Sequence, residues 1–166
     1  MRIASKLSLA VLALVVFGAA AQAQTNNASI TATANVQTPI NVVGAQQLNF
    51  GNVFPGVNKT VLASDLSNAG RFDVSGQASA PVTLSFTLPA TLSSGGNTMP
   101  IDNYTGIRAD DAAQTVGAVL FSPGASNPAT LSGAGALFVW VAARVTPATN
   151  QAQGTYTGSI QMTVVY

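Results

Sequence analysis

Gly135-Ala-Leu-Phe-Val-Trp-Val-Ala-Ala-Arg-Val145 is the most apolar stretch of the chain that follows its amino-terminal segment. Leu137, Val139, Val141, Ala143 and Val145 share one parity, and Phe138, Trp140 and Ala142 share the other until Arg144 ends it. Successive side chains of an extended backbone point to opposite faces, so a segment apolar on both parities is covered on both faces. The spacing predicts a central strand with layers above and below it.

The same period of two runs outward in both directions. Val82, Leu84, Phe86 and Leu88 alternate with Thr83, Ser85 and Thr87, and Phe72 and Val74 alternate with Arg71 and Asp73. Tyr156, Ile160, Met162, Val164 and Tyr166 share a parity against Thr155, Thr157, Ser159, Gln161 and Thr163. Ala28, Ile30, Ala32, Ala34 and Val36 alternate with Ser29, Thr31, Thr33 and Asn35. Breaks fall at Thr38-Pro39, Phe54-Pro55-Gly56, Ala80-Pro81, Leu88-Pro89, Ser93-Ser-Gly-Gly-Asn97 and Ser122-Pro-Gly124, the residues that make turns. We expect strands near 28–36, 40–44, 47–53, 58–63, 70–75, 81–88, 103–108, 116–121, 136–145 and 155–166, with loops and an inserted hairpin in 93–133. Many short strands and Gly/Pro turns point to an all-β protein, a sandwich or barrel of antiparallel strands. A single helical turn over Asp110–Gln114 is the one helical expectation outside the amino terminus.

Arg2 and Lys6 precede an uncharged, mostly apolar run from Leu7 to Ala21, and Ala21-Gln22-Ala23 is a small-x-small cleavage pattern. Residues 1–23 therefore read as a signal peptide helix, and the fifteen-residue run is shorter than the ~20 residues of a membrane span. We expect one domain over 24–166, in which 24–37 is a donor strand or an amino-terminal extension. No membrane span is expected after cleavage. Export implies the periplasm in transit, then the cell surface or extracellular space. The mature chain keeps Lys59, Arg71, Arg108 and Arg144 against five aspartates, one net negative charge, so no basic patch argues for nucleic acid.

With no histidine, cysteine or glutamate, the sequence excludes Ser-His-Asp and Cys-His nucleophiles, disulfides and the usual zinc sets. Asp110 and Asp111, near Asp102 and Asn103, are the only oxygen cluster. They form no calcium loop and no pair of pocketed carboxylates, and a solvated turn accounts for them. We expect no enzyme activity and no cofactor.

Two segments carry the functional expectations. Residues 28–36 span roughly 30 Å at ~3.3 Å per residue. They are either a first strand paired within the domain or a donor strand that completes another copy. In the second case Ala28, Ile30, Ala32, Ala34 and Val36 fill its pockets. Three of these are alanine, so Ile30 and Val36 are the anchors. The terminal run needs its edge covered, either by the sandwich or by a partner such as a periplasmic chaperone. Tyr156, Ile160, Met162, Val164 and Tyr166 are its interacting residues. A monomeric exported binding module for a glycan or surface partner is the alternative reading, with Asp102, Asn103 and Tyr104 as its first residues to test.

Leu48-Asn-Phe-Gly-Asn-Val-Phe-Pro-Gly56, Gly70-Arg-Phe-Asp-Val-Ser-Gly76 and Gly154-Thr-Tyr-Thr-Gly-Ser-Ile-Gln-Met-Thr-Val-Val-Tyr166, in that order, resemble the motifs of a family of secreted bacterial domains of unknown function. That family is similar to spore coat protein U-like proteins and to chaperone–usher fimbrial subunits. The resemblance implies an immunoglobulin-like sandwich and a structural role in a surface fibre or coat. It also implies partners that are copies of this chain or related subunits, with a periplasmic chaperone and an outer-membrane usher. In that setting residues 28–36 are the donor strand, and Ile160, Met162, Val164 and Tyr166 line the groove or face the chaperone.

Overall fold

A computed structural model describes residues 26–124 and 126–166. The signal-peptide reading of residues 1–23 lies outside the described residues. The chain divides into two units, Met1–Asn35 and Val36–Tyr166. Of the first, residues 26–35 are described; all are exposed and none is in a strand.

The second unit is an antiparallel β-sandwich, with no helix among the described residues. Its strands are β1 (Asn41–Gln46), β2 (Lys59–Thr60), β3 (Gly70–Ser75), β4 (Pro81–Thr87), β5 (Thr91–Ser94), β6 (Asn97–Ala109), β7 (Val119–Phe121), β8 (Asn127–Thr130), β9 (Ala136–Val145) and β10 (Gln161–Val165). The larger sheet runs β1-β3-β9-β6-β5, with β2 pairing β9 and β7 pairing β6. The smaller runs β10-β4-β8.

The Gly135–Val145 stretch becomes β9, the centre of the larger sheet, and both its faces are buried as its two parities require. Leu137 and Val139 face the smaller sheet and pack with Val74, Val82, Leu84, Ala129 and Leu131. Trp140 and Ala142 face outward, where Val61, Ala63 and Ala69 of the 61–69 loop cover them together with Ile107 and Ala109. Ala143 and Val145 join Met99 and Ile101 in a third cluster, flanked by Leu48, Phe50, Val53, Leu92, Tyr104 and Tyr156. The expected hairpin is β5–β6. Ser94 pairs with Asn97, and Gly95 and Gly96 take φ of 53° and 88°, the positive values a two-residue hairpin turn needs.

Several expectations are corrected. Residues 28–36 form no strand. Residues 47–53 form none either: the Asn49 amide donates to the Asn68 carbonyl and the Gly56 amide to Ala148, so the segment is a lid over the third cluster rather than a ladder member. The 58–63 strand shrinks to Lys59–Thr60, because Val61 and Ala63 turn onto the outer face of β9. β6 begins earlier than expected and is broken between Asp102 and Thr105, where Asn103 takes a φ of 50°. β8 was not foreseen, since Pro128 marks a break; it sits on an edge strand, where a missing amide is tolerated. The 155–166 strand is regular only over 161–165. Residues 110–114 form a turn without a helix: both the Thr115 and Val116 amides donate to the Asp111 carboxylate.

Candidate functional site

No strand of the larger sheet pairs with a strand of the smaller. Residues 44–55, the end of β1 and the loop after it, face the chain preceding β10, residues 151–160, and a groove of about 1440 Å³ lies between them. Its floor is apolar. Phe72 comes from β3, Val141 and Val145 from β9, Met99 and Ile101 from β6, and Leu92 from β5. Half-buried Leu48, Phe50 and Tyr156 hang over this floor from the walls. No residue lining the groove carries a charge.

The chain after β10 is bonded to the chain ahead of β1 and to the loop after β3. The Gln77 amide donates to the Tyr166 hydroxyl at 2.8 Å, and that hydroxyl donates to the Thr38 carbonyl. The Gln77 side-chain oxygen in turn accepts from the Thr38 amide at 3.3 Å and the Thr38 hydroxyl at 3.2 Å. Gly76 leaves room for the ring: a Cβ there would stand 2.7 Å from the Tyr166 oxygen. None of Thr38, Gln77 and Tyr166 lines the groove, so these bonds stand apart from it.

Residues of the terminal run divide between these regions. Met162 and Val164 are half-buried against the inter-sheet core, and Tyr156 packs on the third cluster. Ile160 lines the groove, and Tyr166 bonds to Gln77 and Thr38 outside that lining. Thus the shared parity does not make one continuous face. The chain leaves regular pairing between Tyr156 and Ile160, with only Thr157 bridged to Ser93. Ala28, Ile30, Ala32, Ala34 and Val36 are all exposed, Ile30 at 96% and Val36 at 92%. Sequence reasoning missed the Tyr166–Thr38 tie. Its only signal was a tyrosine at the end of an apolar parity, and its partners lie 128 and 89 residues away.

The acidic residues serve the fold. The Arg144 guanidinium donates to both Asp102 oxygens at 2.9 Å, which holds that carboxyl below the usual range. Asp111 is lowered by the Thr115 hydroxyl first and then by the Val116 amide. No group of three or more potential metal ligands occurs among the described residues. Tyr104 donates to the Pro89 carbonyl at 2.7 Å and is half-buried. Burial, then the Asp102 charge, pushes its phenol up to about 12 from 10.0. The folded chain thus holds this proton more tightly than the unfolded chain does. The stabilisation is intact below pH 10 and is lost as pH rises through about 12. An absorbance titration should show a tyrosine step displaced upward to about pH 12, and Tyr104→Phe should remove that step.

Fold and groove together define a class: an antiparallel sandwich with an uncharged groove beside its core and an exposed segment of alternating apolar residues ahead of its first strand. The chain belongs to the family described as Domain of unknown function (DUF4402), whose model matches residues 10–166. No curated protein matches it.

Proposed function

We propose that this chain is a structural subunit of a bacterial surface fibre or coat that assembles by β-strand addition. The observation that carries the reading is the state of residues 28–36. Their alternation is that of a strand with one buried face, yet every one of them is exposed and in no strand. Burying a side chain such as Ile30 or Val36 is worth roughly 1.5–3 kcal/mol, a gain this segment does not realise within its own chain. Strand addition would supply it, with backbone hydrogen bonds giving affinity and alternate side chains giving register. Donation from one copy to the next is head-to-tail and does not close, so it builds filaments.

The signal-peptide pattern and the likeness of the sequence motifs to spore coat protein U-like and fimbrial subunits support export and surface assembly. Few charges remain after cleavage to oppose close packing of subunits. A periplasmic chaperone would guard the free edge of β10, which pairs only with β4, until assembly. Deleting residues 24–37 from the mature protein tests the reading. Heat-sensitive ladders on unboiled gels and filaments in electron micrographs should disappear. A truncated protein that makes the same ladder refutes it.

A further inference from the structure

We propose that the groove between residues 44–55 and 151–160 binds a neutral oligosaccharide chain. This adds a ligand to the subunit and stands apart from strand addition.

The lining selects against charge and in favour of hydroxyl groups. No residue lining the groove is charged, so an acidic sugar, a phosphate or a charged peptide would lose hydration there without gaining a partner. The walls carry amides instead. Two of these serve the fold: Gln46 Nε2 donates to the Leu66 and Ala69 carbonyls, and Gln151 Nε2 to the Thr98 carbonyl and the Tyr156 hydroxyl. Gln47, Asn52 and Gln153 also line the groove and are exposed, and their side chains make no hydrogen bond among the described residues. A primary amide presents a donor and an acceptor side by side, and a sugar hydroxyl is both acceptor and donor.

Phe54 supplies an apolar platform beside these amides. It lines the groove at 68% exposure and is the most exposed aromatic among the described residues. A turn fixes its place. The Val57 amide donates back to the Phe54 carbonyl at 3.1 Å, and Gly56 takes a φ of 75°, so Pro55 and Gly56 occupy the positions a type II turn favours for them. The Gly56 amide then anchors the turn to the Ala148 carbonyl at 3.0 Å. A ring held in this way loses little freedom when a ligand packs on it. A pyranose has a face of C–H groups and an edge of hydroxyls, which match the ring and the amides respectively. An acyl chain would use the apolar floor and none of the amides. The groove's volume of about 1440 Å³ exceeds the roughly 300–1,000 Å³ of small-molecule pockets, so it suits several sugar units in a row. The residues first expected to hold a glycan are engaged elsewhere, Asp102 with Arg144 and the Tyr104 hydroxyl with Pro89.

Isothermal titration of the full mature protein with maltohexaose, cellohexaose and chitohexaose tests the proposal, with hexagalacturonate as the charged counterpart. At least one neutral hexamer should bind, and hexagalacturonate should bind at least roughly tenfold more weakly. Phe54→Ala should weaken binding roughly tenfold, as for loss of an aromatic anchor, and Phe54→Tyr should retain it. Gln153→Ala should weaken it roughly fivefold, as for one lost hydrogen bond. Leu120→Ala, on β7 and outside the lining, should leave affinity unchanged. No heat from any neutral hexamer at millimolar concentration, equal binding of hexagalacturonate, or parental affinity in Phe54→Ala overturns the proposal. Binding of a synthetic peptide of residues 26–38 in place of the sugars overturns it as well. Ladders are scored separately on the same proteins, so fibre assembly and sugar binding fail independently.

Discussion

Ile30→Asp should abolish the heat-sensitive ladder while leaving the melting temperature of the subunit unchanged. Ile30 is 96% exposed, so within its own chain the substitution removes no contact. In a strand added to a neighbouring copy this side chain would be buried, and residues 26–40 bring no cation to pair with the new carboxylate. An unpaired buried charge costs several kcal/mol, so assembly should weaken by more than about 100-fold. Ile30→Val removes one methylene, worth about 0.8 kcal/mol, and should weaken assembly only about fourfold. Sedimentation at matched concentrations reads both variants. A ladder indifferent to the aspartate would mean that the segment is a free tail.

Trp140→Ala should lower stability by about 3–5 kcal/mol, a large share of the 5–15 kcal/mol a domain typically has. Trp140 is 1% exposed, on the outward face of β9. Ala63, Ala69, Ala109 and Ala142 are among the residues packed around it, and such short side chains cannot reach in to fill the space left behind. Ile107, Phe50 and the Phe138 ring, whose centroid lies 6.3 Å away, are the larger neighbours able to shift partway. Urea unfolding monitored by circular dichroism measures the loss. Leu120→Ala, at a side chain 75% exposed on β7, should change stability by less than about 0.5 kcal/mol. Under conditions where the Trp140 variant remains folded, sugar binding should persist, because this face of β9 is opposite the groove floor at Val141 and Val145. A Trp140 variant as stable as the parent would mean that the 61–69 cover does not form the buried layer described above.

Much of the sandwich was legible because alternation is a local property. The expected strands at 70–75 and 136–145 coincide with β3 and β9, and that at 81–88 with β4 to within one residue. The expected strands at 47–53 and 58–63 misled for a reason their residues share. Leu48, Phe50, Val61 and Ala63 alternate because they must be covered, and they are, but by folding onto a face of the larger sheet rather than by pairing along its edge. Alternation reports burial of one side and says nothing of where the backbone hydrogen bonds go. At the candidate site, the apolar parity of Tyr156 to Tyr166 was visible, while its division between core, groove and tie was not.

An all-β chain, a central strand at Gly135–Val145 with two covered faces, the lack of histidine and cysteine chemistry, and the apolar alternation at 28–36 were all legible in the residues. Each follows from residue identity and the two-residue repeat of an extended backbone. Tertiary packing was needed to show that an uncharged groove lies between residues 44–55 and 151–160, and that Tyr166 bonds to Thr38 and Gln77. Those features come from strands and loops brought together across most of the chain's length. Pairing between distant segments is set by how the whole core packs, and a period of two cannot encode it.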